Sequence, residues 1–164
     1  MKVSIIGTGK TGSEVAHVLD PREINDIFNS RHKPTVEDLK RSDIAIIFVP
    51  KSAVNELLPI VLQSGIAAVW ASTGYDWPKD LHKQLIQHQA RWVISSNYSL
   101  SMHLIKQCIH ILQKSEATME QPHFLLNEIH HVHKEDMPSG TSLKWRSWLE
   151  RDCPISSERM GDRF

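Results

Sequence analysis

The chain has 164 residues, with 19 Lys and Arg against 19 Asp and Glu, and 40% of it is hydrophobic. That length suits one compact domain or two small ones, and zero formal net charge argues against a dedicated nucleic-acid binder, which carries a basic surplus. Cys108 and Cys153 are too few for a disulfide framework and point to a reducing compartment. The longest strongly apolar run, Ile44 to Val49, falls far short of the roughly 20 residues that span a bilayer. The glycine-rich N-terminus does not read as a signal peptide. A soluble cytoplasmic protein with no nucleic-acid or membrane partner is expected.

The first half alternates short β-branched runs with helical patterns, the rhythm of α/β units around a parallel sheet. Strands are predicted at Lys2 to Ile6, Ile24 to Phe28, Asp43 to Val49, Ala67 to Ala71 and Arg91 to Ser95. Helices are predicted at Gly12 to Leu19, Thr35 to Lys40 with Thr35 as N-cap, Ala53 to Gln63, and Lys79 to Gln89. After Tyr98 the texture changes. Leu100 to Lys114 reads as one amphipathic helix carrying Met102, Ile105, Ile109 and Leu112 on one face. A strand over Phe124 to His131, a loop over His133 to Gly140, a helix over Thr141 to Glu150 and a strand near Ile155 follow. The division expected is a Rossmann-type parallel-sheet domain over residues 1–99, followed by an incomplete α+β domain over 100–164.

Gly7-Thr8-Gly9-Lys10-Thr11-Gly12 lies between a predicted strand and a predicted helix, the context the dinucleotide fingerprint requires. Gly7 would allow the tight turn, Gly9 the approach of a pyrophosphate, and Gly12 close helix packing. The run also contains Gly-Lys-Thr, but the phosphate loop of NTPases needs a further glycine where Ser4 stands, so that reading fails on spacing. Glycines serving a tight turn alone remain the competing explanation. NAD sites carry an acidic residue about 20 positions on. Asp26 is the nearest, inside a predicted strand, whereas the strand's end reads Asn29-Ser30-Arg31-His32-Lys33. A basic cluster there suits a 2′-phosphate and favours NADPH over NADH, with a solvated basic loop as the alternative.

Of ten histidines, only His130, His131 and His133 stand beside other chemistry, in Glu128-Ile129-His130-His131-Val132-His133-Lys134-Glu135-Asp136-Met137-Pro138-Ser139-Gly140-Thr141. Zinc binding is disfavoured, because strand neighbours point to opposite faces and no cysteine is near. The alternative is an anion site with a proton donor. Ser139-Gly140-Thr141 opens a helix whose N–H groups and hydroxyls could hold a carboxylate, Lys134 adds a cation, and a histidine exchanges protons near neutral pH.

The run EIHHVHKEDMPSGTS resembles the signature of the 4-hydroxy-tetrahydrodipicolinate (dihydrodipicolinate) reductase family, nicotinamide-dependent enzymes of lysine and diaminopimelate biosynthesis. Gly7 to Gly12 resembles that family's cofactor loop, Ser72-Thr73-Gly74-Tyr75 its TTGF/Y segment, Ser96-Asn97-Tyr98-Ser99 its hinge segment, and Ile155 to Gly161 its next strand. The resemblance implies that His130 is the proton donor and acceptor and Lys134 a second proton donor. His131, Gly140 and Thr141 would contact a small cyclic dicarboxylate substrate. Gly7, Thr8, Gly9, Lys10, Thr11 and Gly12 would hold the cofactor diphosphate. Ala71, Ser72 and Thr73, with Ser95, Ser96, Asn97 and Tyr98, would line the nicotinamide side. NADPH or NADH is the implied cofactor, no metal is implied, and a homotetramer is the family expectation.

This sequence departs from the family's usual pattern at Ile47-Phe48-Val49-Pro50, where a more polar segment is common. It departs again at Trp145 and Trp148, which stand in place of small residues. Family members also continue with further strands and a returning helix, so the second domain is expected to be incomplete. The alternatives are a non-catalytic nucleotide-binding remnant and another small Rossmann reductase, such as one resembling aspartate dehydrogenase.

Overall fold

Strands covered on both faces of a parallel sheet read as unbroken apolar runs, and Val3–Ile6 (β1) is one. In the computed structural model, which describes residues 1–114, 123–149 and 152–162, all four of its residues are buried. Ile24–Phe28 (β2), Ile44–Ile47 (β3), Ala67–Trp70 (β4) and Trp92–Ile94 (β5) join it. All pairs run parallel, in the order β2-β1-β3-β4-β5. Helices Lys10–Val18 (α1), Val36–Leu39 (α2), Lys51–Ser64 (α3) and Leu81–Gln87 (α4) connect them. Phe28, Leu39, Ile47, Val54, Val61 and Trp70 form the heart of the core. The fold of this half is therefore the expected α/β parallel-sheet arrangement of Rossmann type.

Two local details refine the sequence reading. Helix α1 begins at Lys10, two residues before the expected Gly12, so that glycine sits inside its first turn. Thr35 does cap α2: its hydroxyl accepts from the Asp38 N–H at 3.2 Å, and the Asp38 carboxylate accepts from the Thr35 N–H at 3.0 Å. That reciprocal pair satisfies two donors no helical carbonyl can reach.

The chain divides into two compact units, Met1–Tyr98 and Ser99–Phe164. The second contains Leu100–Lys114 (α5), Leu126–His130 (β6), Gly140–Leu149 (α6) and Ile155–Arg159 (β7). Strands β6 and β7 pair in parallel, from Leu126 opposite Ile155 to His130 opposite Arg159. The connection between them is the crossover through α6, as parallel pairing requires. Strand β6 is shorter than expected at both ends, and the predicted helix end at Glu150 lies outside the described residues. Ile109, Leu149 and Cys153 are buried, with Ile105, Trp145 and Trp148 packed against them. Leu112 does not join that face as expected but is 45% exposed, as are Leu100, Leu104 and Ile111 to a greater degree. The apolar surface of α5 is wider than the small core of this unit can cover.

Candidate functional site

From β1 the chain steps outward to β2, then returns past β1 to β3, so strand order reverses between β1 and β3. Open α/β sheets bind ligands outside the carboxyl ends of the strands at such a reversal. The loop leaving β1 there is Gly7 to Gly9. Gly7 has φ +105°, and a Cβ on it would lie 2.0 Å from the Phe48 carbonyl oxygen, which follows β3. A Cβ on Gly12 would lie 1.9 Å from the Gly7 carbonyl oxygen. Both glycines are thus demanded by close backbone approach within the protein. Gly9 is different. It caps α1 with φ −69°, no side chain caps the helix, and a Cβ there would meet nothing within 4 Å.

A parallel sheet brings all its carboxyl ends to one edge, and the other candidate cofactor residues fall along that edge. Backbone bonds continue the ladder one step past each strand: Gly7 N–H to Phe28 O at 2.8 Å, Phe48 N–H to Ile6 O at 2.8 Å, Ala71 N–H to Ile47 O at 2.9 Å, and Ser95 N–H to Trp70 O at 3.0 Å. Ser72 is buried and donates to Val49 O at 2.8 Å. Ser95 Oγ donates to Asn97 O at 2.8 Å and accepts from the Asn97 N–H at 3.2 Å. The Tyr98 hydroxyl lies 3.0 Å from the carbonyl oxygens of both Trp70 and Val93. Its burial raises the phenol above its ordinary range. Gly7 to Gly12, Ala71 to Thr73 and Ser95 to Tyr98, separated by tens of residues, are therefore neighbours along one rim.

In the second unit the candidate residues surround the end of β6. Glu128 and His130 are two apart in the strand and share a face, and His130 Nε2 lies 3.2 Å from a Glu128 oxygen. The Glu128 carboxylate also accepts from the Ser139 N–H at 2.8 Å, the Ser157 hydroxyl at 2.7 Å and the Ser142 hydroxyl. Burial alone would push Glu128 upward. The serine donors outweigh it and hold the carboxyl well below the ordinary carboxylate range. This carboxylate was not singled out by sequence reasoning. The signal available was its place in β6 with the period-two spacing to His130.

Lys134 and Asp136 form an ion pair, and the other Asp136 oxygen accepts from the Gly140 N–H at 3.1 Å. The Lys134 ammonium and then the Gly140 N–H hold Asp136 below its ordinary range. Arg159, opposite His130 across the sheet, donates to the Lys134 and Asp136 carbonyls and ties the loop down. The start of α6 is thus partly occupied from within: Ser139 by Glu128, Gly140 by Asp136. Thr141 keeps its N–H and hydroxyl without a partner among the described residues. A Cβ on Gly140 would meet nothing within 4 Å. His131, expected beside His130 on the strand, lies just past its end, with its ring 6.3 Å from that of His133. Among the described residues, no group of three His, Cys, Asp or Glu side chains could hold a metal ion. No helix among them is long and apolar enough to cross a membrane.

Comparison with known proteins places this arrangement among relatives. No family model matches the chain. Curated proteins named 4-hydroxy-tetrahydrodipicolinate reductase do: that of Methanopyrus kandleri is 29% identical over 90% of this chain and 49% of its own length. That of Mycolicibacterium smegmatis is 28% identical over 88% of this chain and 60% of its own. That of Acinetobacter baylyi is 32% identical over 66% and 39%. Among solved structures, a dipicolinate-bound dihydrodipicolinate reductase from Paenisporosarcina sp. TG-14 covers 98% of this chain and 79% of its own, with a TM-score of 0.68 at 17% identity. The chain spans about half the length of the curated relatives it matches. The family resemblance read in the sequence therefore extends along about nine-tenths of this chain.

Proposed function

We propose that this chain, a relative of the 4-hydroxy-tetrahydrodipicolinate reductases, binds a nicotinamide dinucleotide on its first unit and a small cyclic dicarboxylate on its second. The reaction would be reduction of 4-hydroxy-tetrahydrodipicolinate. The observation that carries this reading is shared by two helix starts. Gly9 and Gly140 stand where α1 and α6 begin, and neither has a backbone angle or a neighbour that demands glycine. Without a side chain, glycine leaves the backbone at each start open to close approach of a group from outside. The positive end of a helix is suited to an anion; at α6 the Gly140 N–H is already held by the Asp136 carboxylate, itself an anion. One start would take the cofactor diphosphate and the other a substrate carboxylate.

The residues present fit the cofactor. Gly7 to Gly12 would hold the diphosphate through backbone N–H groups. Ala71, Ser72, Thr73, Ser95, Ser96, Asn97 and Tyr98 would border the nicotinamide along the same rim. A bound nicotinamide supplies a hydride donor. NADPH is favoured by the loop after β2, where the Asn29 side chain accepts from the Arg31 and His32 N–H groups at 2.8 and 3.0 Å. Lys33 is engaged by Glu56 and His32 stacks on Phe28, while Arg31 forms no ion pair among the described residues. Asp26, the residue that could have held ribose hydroxyls, lies within β2 and pairs with Arg41.

On the second unit, His130 and Lys134 would exchange protons with the substrate, while His131, Gly140 and Thr141 would hold its carboxylates. Asp136 already occupies the Gly140 N–H and the Lys134 ammonium, as a substrate carboxylate would. Binding then exchanges one carboxylate for another, with little loss of hydrogen bonding. The exposed Ile129 within β6, with Leu125 and Met160 next to the strand ends, suits association of copies, in line with the homotetramer expected of the family.

The test is substrate-dependent oxidation of NADPH, then NADH, by the purified chain. Oxidation should fall at least about 100-fold with His130→Gln. Gly9→Ala should lower thermal stability by no more than a poorer helix cap does, about 1 kcal/mol, and weaken dinucleotide binding about tenfold or more. Folded protein that binds dinucleotide but shows no substrate-dependent oxidation would leave a nucleotide-binding unit without the reaction.

A further inference from the structure

Glu128 lies beneath the His130–Thr141 loop, nearly buried, with its side chain 9% exposed against 29% for His130. Its partners come from different elements: the Ser157 hydroxyl from β7, the Ser142 hydroxyl from α6 and the Ser139 N–H from the residue before α6 all donate to it, and His130 Nε2 approaches from its own strand. The three serine donors reach both carboxylate oxygens and fix them in space. We propose that Glu128 is a positioning residue that holds the His130 ring with Nε2–H turned toward itself, leaving Nδ1 as the nitrogen that exchanges a proton with the substrate. This rests on the reading of His130 as the proton donor and acceptor.

The argument is one of donors and acceptors. A carboxylate that receives hydrogen bonds from three serines can only accept from a fourth partner. The nitrogen 3.2 Å away must then carry a proton in both the neutral and the cationic ring. Nδ1 has no partner among the described residues. When the protonated ring gives up a proton, the Nδ1 proton leaves with its bonding pair retained on nitrogen. The Nε2 proton stays on its bond to Glu128, and solvent restores the proton at Nδ1. An orienting carboxylate that fixes a histidine tautomer is a general device of proton-transfer sites, and the wrong tautomer lowers kcat steeply.

Glu128→Gln tests it. The amide oxygen can still accept from Ser139 and Ser157, but its NH2 now faces Nε2 and requires a lone pair there. The readout is the long-range nitrogen–proton correlation spectrum of the chain labelled with 15N-histidine, at a pH where the ring is neutral. The His130 signals are identified by their loss in His130→Gln. The expected result is an Nε2–H ring in the unsubstituted protein and an Nδ1–H ring in Glu128→Gln, with kcat lower by about 100-fold and KM within a few-fold. Ser157→Ala removes one donor without changing what faces the ring, and should leave the tautomer unaltered. An Nδ1–H ring in the unsubstituted protein overturns the proposal. So does a Glu128→Gln variant with unchanged tautomer and kcat. If Glu128→Gln does not fold, the spectrum of the unsubstituted protein decides alone. Full activity of His130→Gln would instead defeat the role given to His130, a result separate from the tautomer that the spectrum reads.

Discussion

In Met1–Tyr98 the buried side chains are almost all apolar, with Ser4 and Ser72 the polar exceptions among the described residues. Among the described residues of Ser99–Phe164 the buried apolar ones are Ile109, Leu149 and Cys153, and the buried polar ones, Ser139 and Ser142, both bond to Glu128. The contrast follows from the sheets. Five parallel strands satisfy their backbone groups internally and leave both faces for apolar cover. A two-stranded sheet offers little area to bury, and the described part of the second unit is held at its centre by directional hydrogen bonds around a carboxylate. Apolar packing tolerates small displacements of its members. A polar cluster does not, which makes it suited to aiming a histidine and sensitive to the loss of any one member.

The largest effect that would sharpen this contrast is in the first unit. Trp70 is fully buried and contacts Trp77 and Trp92, each with ring centroids at 5.3 Å. Trp70→Ala should cost about 3–5 kcal/mol, read by urea unfolding, and a loss under about 1 kcal/mol would mean the aromatic cluster is not part of the stabilising core. Next comes Glu128→Ala, which leaves the Ser139 N–H and two serine hydroxyls without their acceptor. It should cost about 2–3 kcal/mol, with faster amide exchange in residues 123–149 and 152–162 than in 1–98. Equal acceleration in both units would break the comparison.

The same carboxylate supplies a pH test. Its folded-state value is depressed, so its contribution is fully present above the ordinary carboxylate range and is lost as pH falls through and below it. The stability advantage of the unsubstituted protein over Glu128→Gln should shrink as pH falls below about 4, as measured by denaturant unfolding between about pH 5 and pH 2. The smallest effect belongs to Thr35→Ala, which removes one side of the α2 cap. It should lower the stability of the first unit by about 1 kcal/mol, visible as a small shift in the urea midpoint.

Much of this was legible in advance where the information is local. The β-branched runs marked β1 to β5, Thr35 marked a helix start, and Ser139-Gly140-Thr141 marked the beginning of α6, because each depends on a few neighbouring residues. The apolar face of α5 was less legible: periodicity placed Leu112 with Ile109, but only packing decides how much of a stripe is covered. Helix α1 starts at Lys10, two residues before the Gly12 that the pattern predicts, because the first turn of a helix is set by backbone geometry that local periodicity does not resolve.

By itself the sequence determined the α/β rhythm, the glycine loop between strand and helix, and the gathering of His130, Lys134 and Gly140 in one segment, since all three are written in short spans. Only the tertiary structure decided that Gly7 faces the Phe48 carbonyl, that Asp136 occupies both Lys134 and the Gly140 N–H, and that Glu128 is bound by Ser157, 29 residues away. Those contacts depend on strand order and register and on how loops close over strand ends. Such relations join residues distant in the chain and leave no periodic trace in it.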